Sequence, residues 1–381
     1  MRHLVFGPIA AGAAQVLCAQ GAIHPALPPG ILPPTLAETR AAMAIPSEGE
    51  VRGQYHGVGF ASRAEQMAAV WEQSGAPPAP GVLGPAPAPG VAGILCPHDD
   101  YPFTARVYRA VVPLVRARTV VLVGVFHQHR RFGAHGVLGF DPYRAWRSPD
   151  GEIRISGLRE EILARLEPGE AVQEAAWHDS EHSVEAVAYW LKHQDPELEI
   201  LPVLVPSAPF PRLQALASRL GAALAEAMAR RGWTLGRDVA VAISADGTHY
   251  GEDFGYTPYG AGGLEAYQRA LAFDRDLLQG LLAGEVSADM ARGFFAAMVD
   301  PDQPDRYRRT WCGRFAIPFG LLLLAAACRA LGRQPPRALP IALGTSLEGP
   351  ELPLRHLGLE PTCPLNLHHF VTAPAVAYVA D

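Results

Sequence analysis

The stretch GILCPHDDYPFTARVYRAV, residues 93–111, changes character twice. An apolar run stops at Cys96, and the turn that follows, Pro97-His98-Asp99-Asp100, carries an imidazole and two carboxylates. From Phe103 onward apolar residues return at helical spacing: Phe103, Val107, Val111, then Leu114 and Val115. A buried strand that feeds a helix through a polar turn is a building unit of α/β folds. In such sheets ligands bind beyond the C-terminal ends of the strands, which is where this turn falls.

The pattern recurs along the chain. Near-continuously apolar runs at 91–96, 119–125, 199–205 and 239–244 predict strands covered on both faces, and runs at 338–343 and 371–379 add two more. Helices are expected over 103–116, 158–165, 183–193, 212–230, 264–282 and 313–331, with Gly332 placed to end the last one in a left-handed cap. SRAEQMAAVWEQS (62–74) has the Ser start and apolar spacing of a further short helix. The alternation predicts an α/β fold over residues 51–381, a single domain whose central mixed sheet is flanked by helices on both faces.

Residues 1–50 are rich in Ala and Pro, lack periodicity and read as an N-terminal extension. Their opening, MRHLVFGPIAAGAAQVLCAQG, has the apolar run and small residues of an export signal. Its basic end is minimal and Gly7-Pro8 interrupts it, so cytoplasmic residence is the expectation and export through a signal peptide the alternative. The whole chain of 381 residues is 49% hydrophobic and 18% charged, with a net charge of -6 and no Lys/Arg-rich run. Nucleic acid is thereby excluded as a partner, since neutralising phosphates needs a basic patch. FAIPFGLLLLAAAC (315–328) is too short to span a bilayer and is expected as a core helix, so no membrane span is predicted. The five cysteines, Cys18, Cys96, Cys312, Cys328 and Cys363, are odd in number and scattered, which is no disulfide framework.

Polar chemistry gathers at the strand ends. VVLVGVFHQHRR supplies His127 and His129; VAVAISADGTHYGEDFGY supplies Asp246 and His249. WHDSEHSVEAVAYW sets Glu181 and His182 at a helix start, with Glu185 one turn on. TWCGRFAIPFG places Cys312 at the mouth of the long apolar helix, where the helix dipole and Arg314 favour a thiolate. Taken singly, a loop histidine is usually solvated, Asp246 suits a turn, and Asp99 and Asp100 suit a helix cap. Three strand-end histidine loops together point to a metal site, because neutral imidazole is the commonest metal ligand.

These blocks, in this order, resemble the Memo family, also called AmmeMemoRadiSam system protein B. Its Pro-His after the first strand resembles Pro97-His98, and its Gly-Pro-Ser-His loop is similar to Gly124-Val125-Phe126-His127. Its Glu-His-Ser-Ile-Glu motif resembles Glu181-His182-Ser183-Val184-Glu185, and ILPVLV (200–205) follows at about the family's place. Its Ser-Ser-Asp-x-x-His-x-Gly block resembles the run from Ser244 to Gly251, and its Cys-Gly-Arg block resembles Cys312-Gly313-Arg314. Three departures stand out: Asp99-Asp100-Tyr101 replaces the usual Ala-Gly-Tyr, Gln128-His129 stands where a His-His pair is common, and Gly247-Thr248 replaces a bulkier Phe-Cys.

The resemblance implies the fold of class III extradiol dioxygenases, which hold non-haem iron at a sheet edge. It assigns His98, His127 and Cys312 to metal-binding positions, with Asp246 and His249 alongside. The first function it implies is a non-haem iron oxidoreductase of dioxygenase type, taking Fe(II), O2 and a small diol-like molecule; copper and zinc also suit the donors. In that reading His249, oriented by Asp246, moves protons, and His182 is the second candidate. The alternatives are an iron- or copper-binding or scaffold protein without catalysis, and a zinc-dependent hydrolase. Substrate, metal, oligomeric state and the roles of Asp99, Asp100 and Cys96 stay open.

Overall fold

The computed structural model describes residues 47–54, 59–75, 81–347, 349–362 and 365–380. The expectations for residues 1–46, and for Cys18 and Cys363, fall outside the described residues. The main elements, in chain order, are α1 (Ala64–Gln73), β1 (Gly93–Cys96), α2 (Tyr101–Val111), β2 (Thr119–Val125), α3 (Ser183–Gln194), β3 (Glu199–Val205) and α4 (Phe210–Arg231). They continue with β4 (Val239–Ser244), α5 (Leu264–Asp276), α6 (Ala288–Met298), α7 (Ala316–Ala330), β5 (Arg337–Thr345) and β6 (Phe370–Val379).

The large sheet runs β3-β2-β4-β1-β6-β5 through its centre. β3, β2, β4 and β1 are mutually parallel, and β6 lies antiparallel to both β1 and β5. Short strands at Leu138–Phe140 and Ile153–Ile155 extend the sheet beyond β3. The sheet is therefore mixed, with a parallel centre, and the fold is the single α/β domain that the apolar runs predict.

Strand alternation divides the interior into two layers. Val121, Val123 and Val125 of β2 join Ile243 and the inner faces of α4, α6 and α7 in one core. Val120 and Leu122 join Ile94 and the inner faces of α1, α2 and α3 in the other. Two glycines let helices come close: a Cβ on Gly221 of α4 would meet that of Ala326 at 2.7 Å, and one on Gly320 of α7 would meet Ile243 at 2.4 Å. Gly332 has φ 66°, the left-handed conformation expected of it.

Three helices differ from expectation by three or more residues at one end. α2 stops at Val111 and passes into a 3-10 turn, Val112–Leu114, because Pro113 has no N–H to continue the helix. α5 gives way at Leu277 to a π-helical turn through Leu281. α7 starts at Ala316 rather than Gly313, which leaves Cys312 in the preceding loop. Helix α6 and the hairpin of Val299–Asp300 with Gln303–Tyr307 were not anticipated.

Strand order positions the site. β4 lies between β1 and β2, with Cys96 opposite Ser244 and Val123 opposite Ile243. The turns after β1, β2 and β4 therefore leave the same edge side by side, although they are far apart in the chain. Helices from the two connections cover opposite faces, which is the topology that opens a ligand crevice at strand ends.

Candidate metal centre

His98, two residues beyond β1, is buried at this edge. Its Nδ1 lies 2.9 Å from the Ser244 hydroxyl at the end of β4. That hydroxyl donates its only proton to the Ser183 carbonyl in a very short bond. It must then accept from His98, so Nδ1 carries the ring proton and Nε2 keeps its lone pair. The bare Nε2 stands 3.2 Å from Asp246 Oδ2 and 3.4 Å from Cys312 Sγ. Asp246 also accepts the His98 backbone N–H through Oδ1 at 2.8 Å, and its own N–H reaches Cys312 Sγ at 3.0 Å.

His127, beyond β2, is fixed by the same logic with a different anchor. Glu181, fully buried, accepts from the His127 backbone N–H at 2.6 Å through Oε2 and faces Nδ1 at 2.9 Å through Oε1. Oε1 also accepts the N–H groups of His182 and Ser183, each at 2.9 Å. A carboxylate has no proton to give, so His127 Nδ1 donates and its Nε2 is also bare. The His182 ring stacks on His127 with centroids 4.9 Å apart, and both rings stand edge-on to His98.

Two sets of donor atoms, each mutually within 4.8 Å, result: His98, His127 and His182, and His98, Asp246 and Cys312. His98 belongs to both. Burial, then the charges of neighbouring imidazoles, hold His98 well below its ordinary pKa. Burial also takes His182 to about 4. These rings are neutral near pH 7, the form that ligates. Burial pushes Asp246 up to about 7 and Cys312 well above the usual thiol range. At Glu181 burial acts upward, but His127, His182 and the Ser183 N–H outweigh it and hold the carboxyl at about 2. Neutral imidazoles with free lone pairs, beside a carboxyl and a thiol that release their protons when a cation binds, form a donor set that fits a cation.

The thiolate expected at Cys312 from the helix mouth is corrected by this geometry. α7 begins beyond Phe315, so its dipole acts a turn away from the sulfur, and the dipole's effect fades within the first turn. The Arg314 Nη1 donates to the Trp311 carbonyl at 2.8 Å, with its guanidinium 3.7 Å over the Tyr307 ring. Arg314 and the Asp246 N–H pull the thiol down, and burial outweighs them.

The orientation of His249 is also corrected. Its Nδ1 faces the carbonyls of Gly247 and Thr310, each at 3.1 Å, while the Asp246 carboxylate faces His98. Nδ1 is therefore protonated and Nε2 free. His249 lies outside both donor sets but is close enough for its charge to lower His98, and burial takes its own pKa to about 3.

Other sequence candidates fall away from the centre. His129 Nε2 bonds the Tyr307 hydroxyl at 3.0 Å. The Cys96 side chain packs with Ile94 in the second core and joins neither donor set, so the thiol is a buried packing group. Asp100 occupies the N-cap position of α2 without capping it, and its Oδ2 instead accepts from Thr362 N and Oγ1. Glu185 pairs with Arg52 at 2.7 Å and accepts from the Tyr189 hydroxyl.

Sequence reasoning missed the supports. Fully buried Arg52 donates through Nη2 to the carbonyls of His178 (2.8 Å) and Glu181 (2.9 Å), which fixes the loop that presents Glu181 and His182. Asp274 accepts from Thr248 Oγ1 at 2.8 Å, Trp311 Nε1 at 2.7 Å and Thr372 Oγ1 at 2.5 Å. It thereby ties together the neighbours of His249 and Cys312.

A sheet-edge centre of this kind within an α/β domain defines the class, and comparison supplies the family. The family model described as Memo-like protein matches residues 61–331, and the chain belongs to that family. A MEMO1 family protein of Thermococcus kodakarensis is 29% identical over 212 residues, 54% of this chain and 66% of the relative. One of Thermococcus onnurineus is 26% identical over 230 residues, 58% of this chain and 70% of the relative. One of Pyrococcus furiosus is 25% identical over 249 residues, 63% of this chain and 77% of the relative. Among the described residues no helix is long and apolar enough to cross a membrane.

Proposed function

We propose that the chain is a metal-dependent oxidoreductase of dioxygenase type acting on a small diol-like molecule. One observation carries the reading: His98 offers a bare Nε2 where two sets of donors overlap. His98, His127 and Cys312 are the ligands, with His182 and Asp246 as the further donors of the two sets. When bound, ferrous iron supplies redox chemistry toward O2 and a diol, and its preference for imidazole with an anionic donor suits this set. Ser244 and Glu181 hold the His98 and His127 rings with Nε2 presented. His249, neutral near pH 7 with Nε2 free, takes a proton from the substrate hydroxyl. Its two carbonyl partners fix the ring, so no neighbouring carboxylate is needed for that role.

The test is O2 uptake by the iron-loaded protein over a panel of aromatic and aliphatic diols. Diol-dependent uptake is expected to fall by ~10²–10⁴-fold in His249→Ala at unchanged iron content, the range for losing a general acid or base. Unchanged uptake would remove His249 from the reaction. A second reading, metal holding without turnover, is favoured by the sulfur of Cys312, a soft donor that suits copper. Tight copper with no O2 consumption on any diol would establish that reading instead.

A further inference from the structure

A cleft of about 570 Å³ opens away from the metal centre, between the end of α1, the segment around Val82–Ala86, one face of α2 and β5. None of its lining residues belongs to either donor set. Along α2, Arg109 lies ~12 Å from Tyr101 at the centre's side, at 1.5 Å per residue. The volume falls in the range of small-molecule sites.

Two arginines line it. Arg106 and Arg109 are three residues apart on α2 and share a face. Arg106 is 8% exposed; its Nη1 donates to the Pro350 carbonyl at 2.9 Å, while its Nε is buried without a hydrogen-bond partner. The Arg109 guanidinium lies 3.8 Å over the Trp71 ring. Burial pulls its pKa downward, and among the described residues no acid opposes it. The surface arginines of α4, by contrast, have carboxylates: Arg230 pairs with both Glu161 and Glu226. A buried guanidinium N–H left unpaired is costly, and because it can only donate, what it lacks is an acceptor atom. The remaining wall is apolar, with Val82 60% exposed and Pro85 and Ile341 nearby.

We propose that this cleft binds a small organic anion. Its oxyanion group, carboxylate or phosphate, meets Arg106 and Arg109, and a short apolar body lies along Val82, Pro85 and Ile341. A guanidinium fork matches either oxyanion in charge and geometry. A neutral ligand leaves the charge unanswered, and a cation is repelled.

Calorimetric titration of the full chain with hexanoate, hexyl phosphate, inorganic phosphate and hexanamide tests this. Saturable binding of hexanoate or hexyl phosphate is expected, and whichever binds tighter identifies the oxyanion. Hexanamide should bind at least tenfold more weakly, and Arg109→Gln and Arg106→Gln should each weaken the anion at least tenfold. Because Arg106 also holds Pro350, Arg109→Gln carries the test should Arg106→Gln not fold. His98→Ala should bind the anion as the parent chain does, which separates this site from the metal reading. The proposal is overturned if neither hexyl anion binds, or if hexanamide binds as tightly as hexanoate. It is equally overturned if inorganic phosphate matches hexyl phosphate, if Arg109→Gln changes nothing, or if His98→Ala abolishes binding.

Discussion

Replacing Ser244 with alanine removes one oxygen atom and tests the tautomer argument directly. In the native chain the Ser244 hydroxyl receives the His98 Nδ1 proton at 2.9 Å and passes its own proton to the Ser183 carbonyl. Ser183 is the first residue of α3, so its carbonyl keeps an intrahelical partner when Ser244 is lost. His98 Nδ1 has no such reserve. It is buried, and an unpaired buried donor costs ~1–3 kcal/mol of stability. The second effect is separate. Without an acceptor at Nδ1 the ring is free to carry its proton on Nε2, the atom that faces Asp246 and Cys312. Loss of a group that orients a ligating imidazole weakens metal binding by ~10–100-fold. Competition titration of Co(II) against a chromogenic chelator reads the affinity, and thermal unfolding without metal reads the stability. Co(II) affinity within twofold of the parent chain, alongside a stability loss, would refute the argument: Ser244 would then be packing and no more.

Because His98 is common to both donor sets, His98→Ala should abolish Co(II) binding, while His182→Ala and Cys312→Ala should differ in cost. Loss of the charge-transfer band from sulfur to cobalt in Cys312→Ala but not in His182→Ala places the ion in the set with Asp246; equal affinities in all three variants would dissolve the centre. Away from the centre, burial raises Asp141 to about 6 from 3.8, against the Trp146 and Arg159 hydrogen bonds that favour its charge. A carboxyl whose folded pKa lies above its unfolded value contributes stability that is full below pH ~4 and is lost as pH climbs through ~6. Two units correspond to about 3 kcal/mol. Asp141→Asn, neutral throughout, should flatten the fall in unfolding free energy between pH 4 and 7; an unchanged slope in urea titrations would show that Asp141 stays charged.

The strands were legible because burial on both faces leaves little choice of residue. Val120 and Val121 enter opposite cores, so β2 reads as an unbroken apolar run with its ends in plain view. Helix α6, by contrast, was legible in principle, with Ser287 capping Met290 N and an apolar stripe through Met290, Phe294 and Met298. The thiolate expected at Cys312 failed for a different reason. The apolar run that predicts α7 does not reveal where its first turn closes, and a Cβ on Gly313 would stand 2.5 Å from that of Ala245. That close approach seals the loop against β4, and the burial it brings decides the thiol.

The residues that bear lone pairs were legible in the sequence as donors, while the roles of Ser244 and Glu181 in aiming them were not. The reason lies in strand order. Ser244 can serve His98 only because β4 lies beside β1, with Ser244 opposite Cys96. Glu181 can serve His127 only because the loop before α3 comes to the end of β2, where the Ser183 hydroxyl also donates to the Val125 carbonyl at 2.8 Å. Neither neighbour relation is local in the chain, so no spacing announces it. Both anchors nevertheless impose the same result, a proton on Nδ1 and a lone pair on Nε2, one through a hydroxyl already committed as donor and the other through a carboxylate. Two independent anchors converging on one tautomer are hard to explain as packing. A core histidine is satisfied by any arrangement that pairs its N–H, and nothing in packing requires Nε2 to be left bare in both His98 and His127.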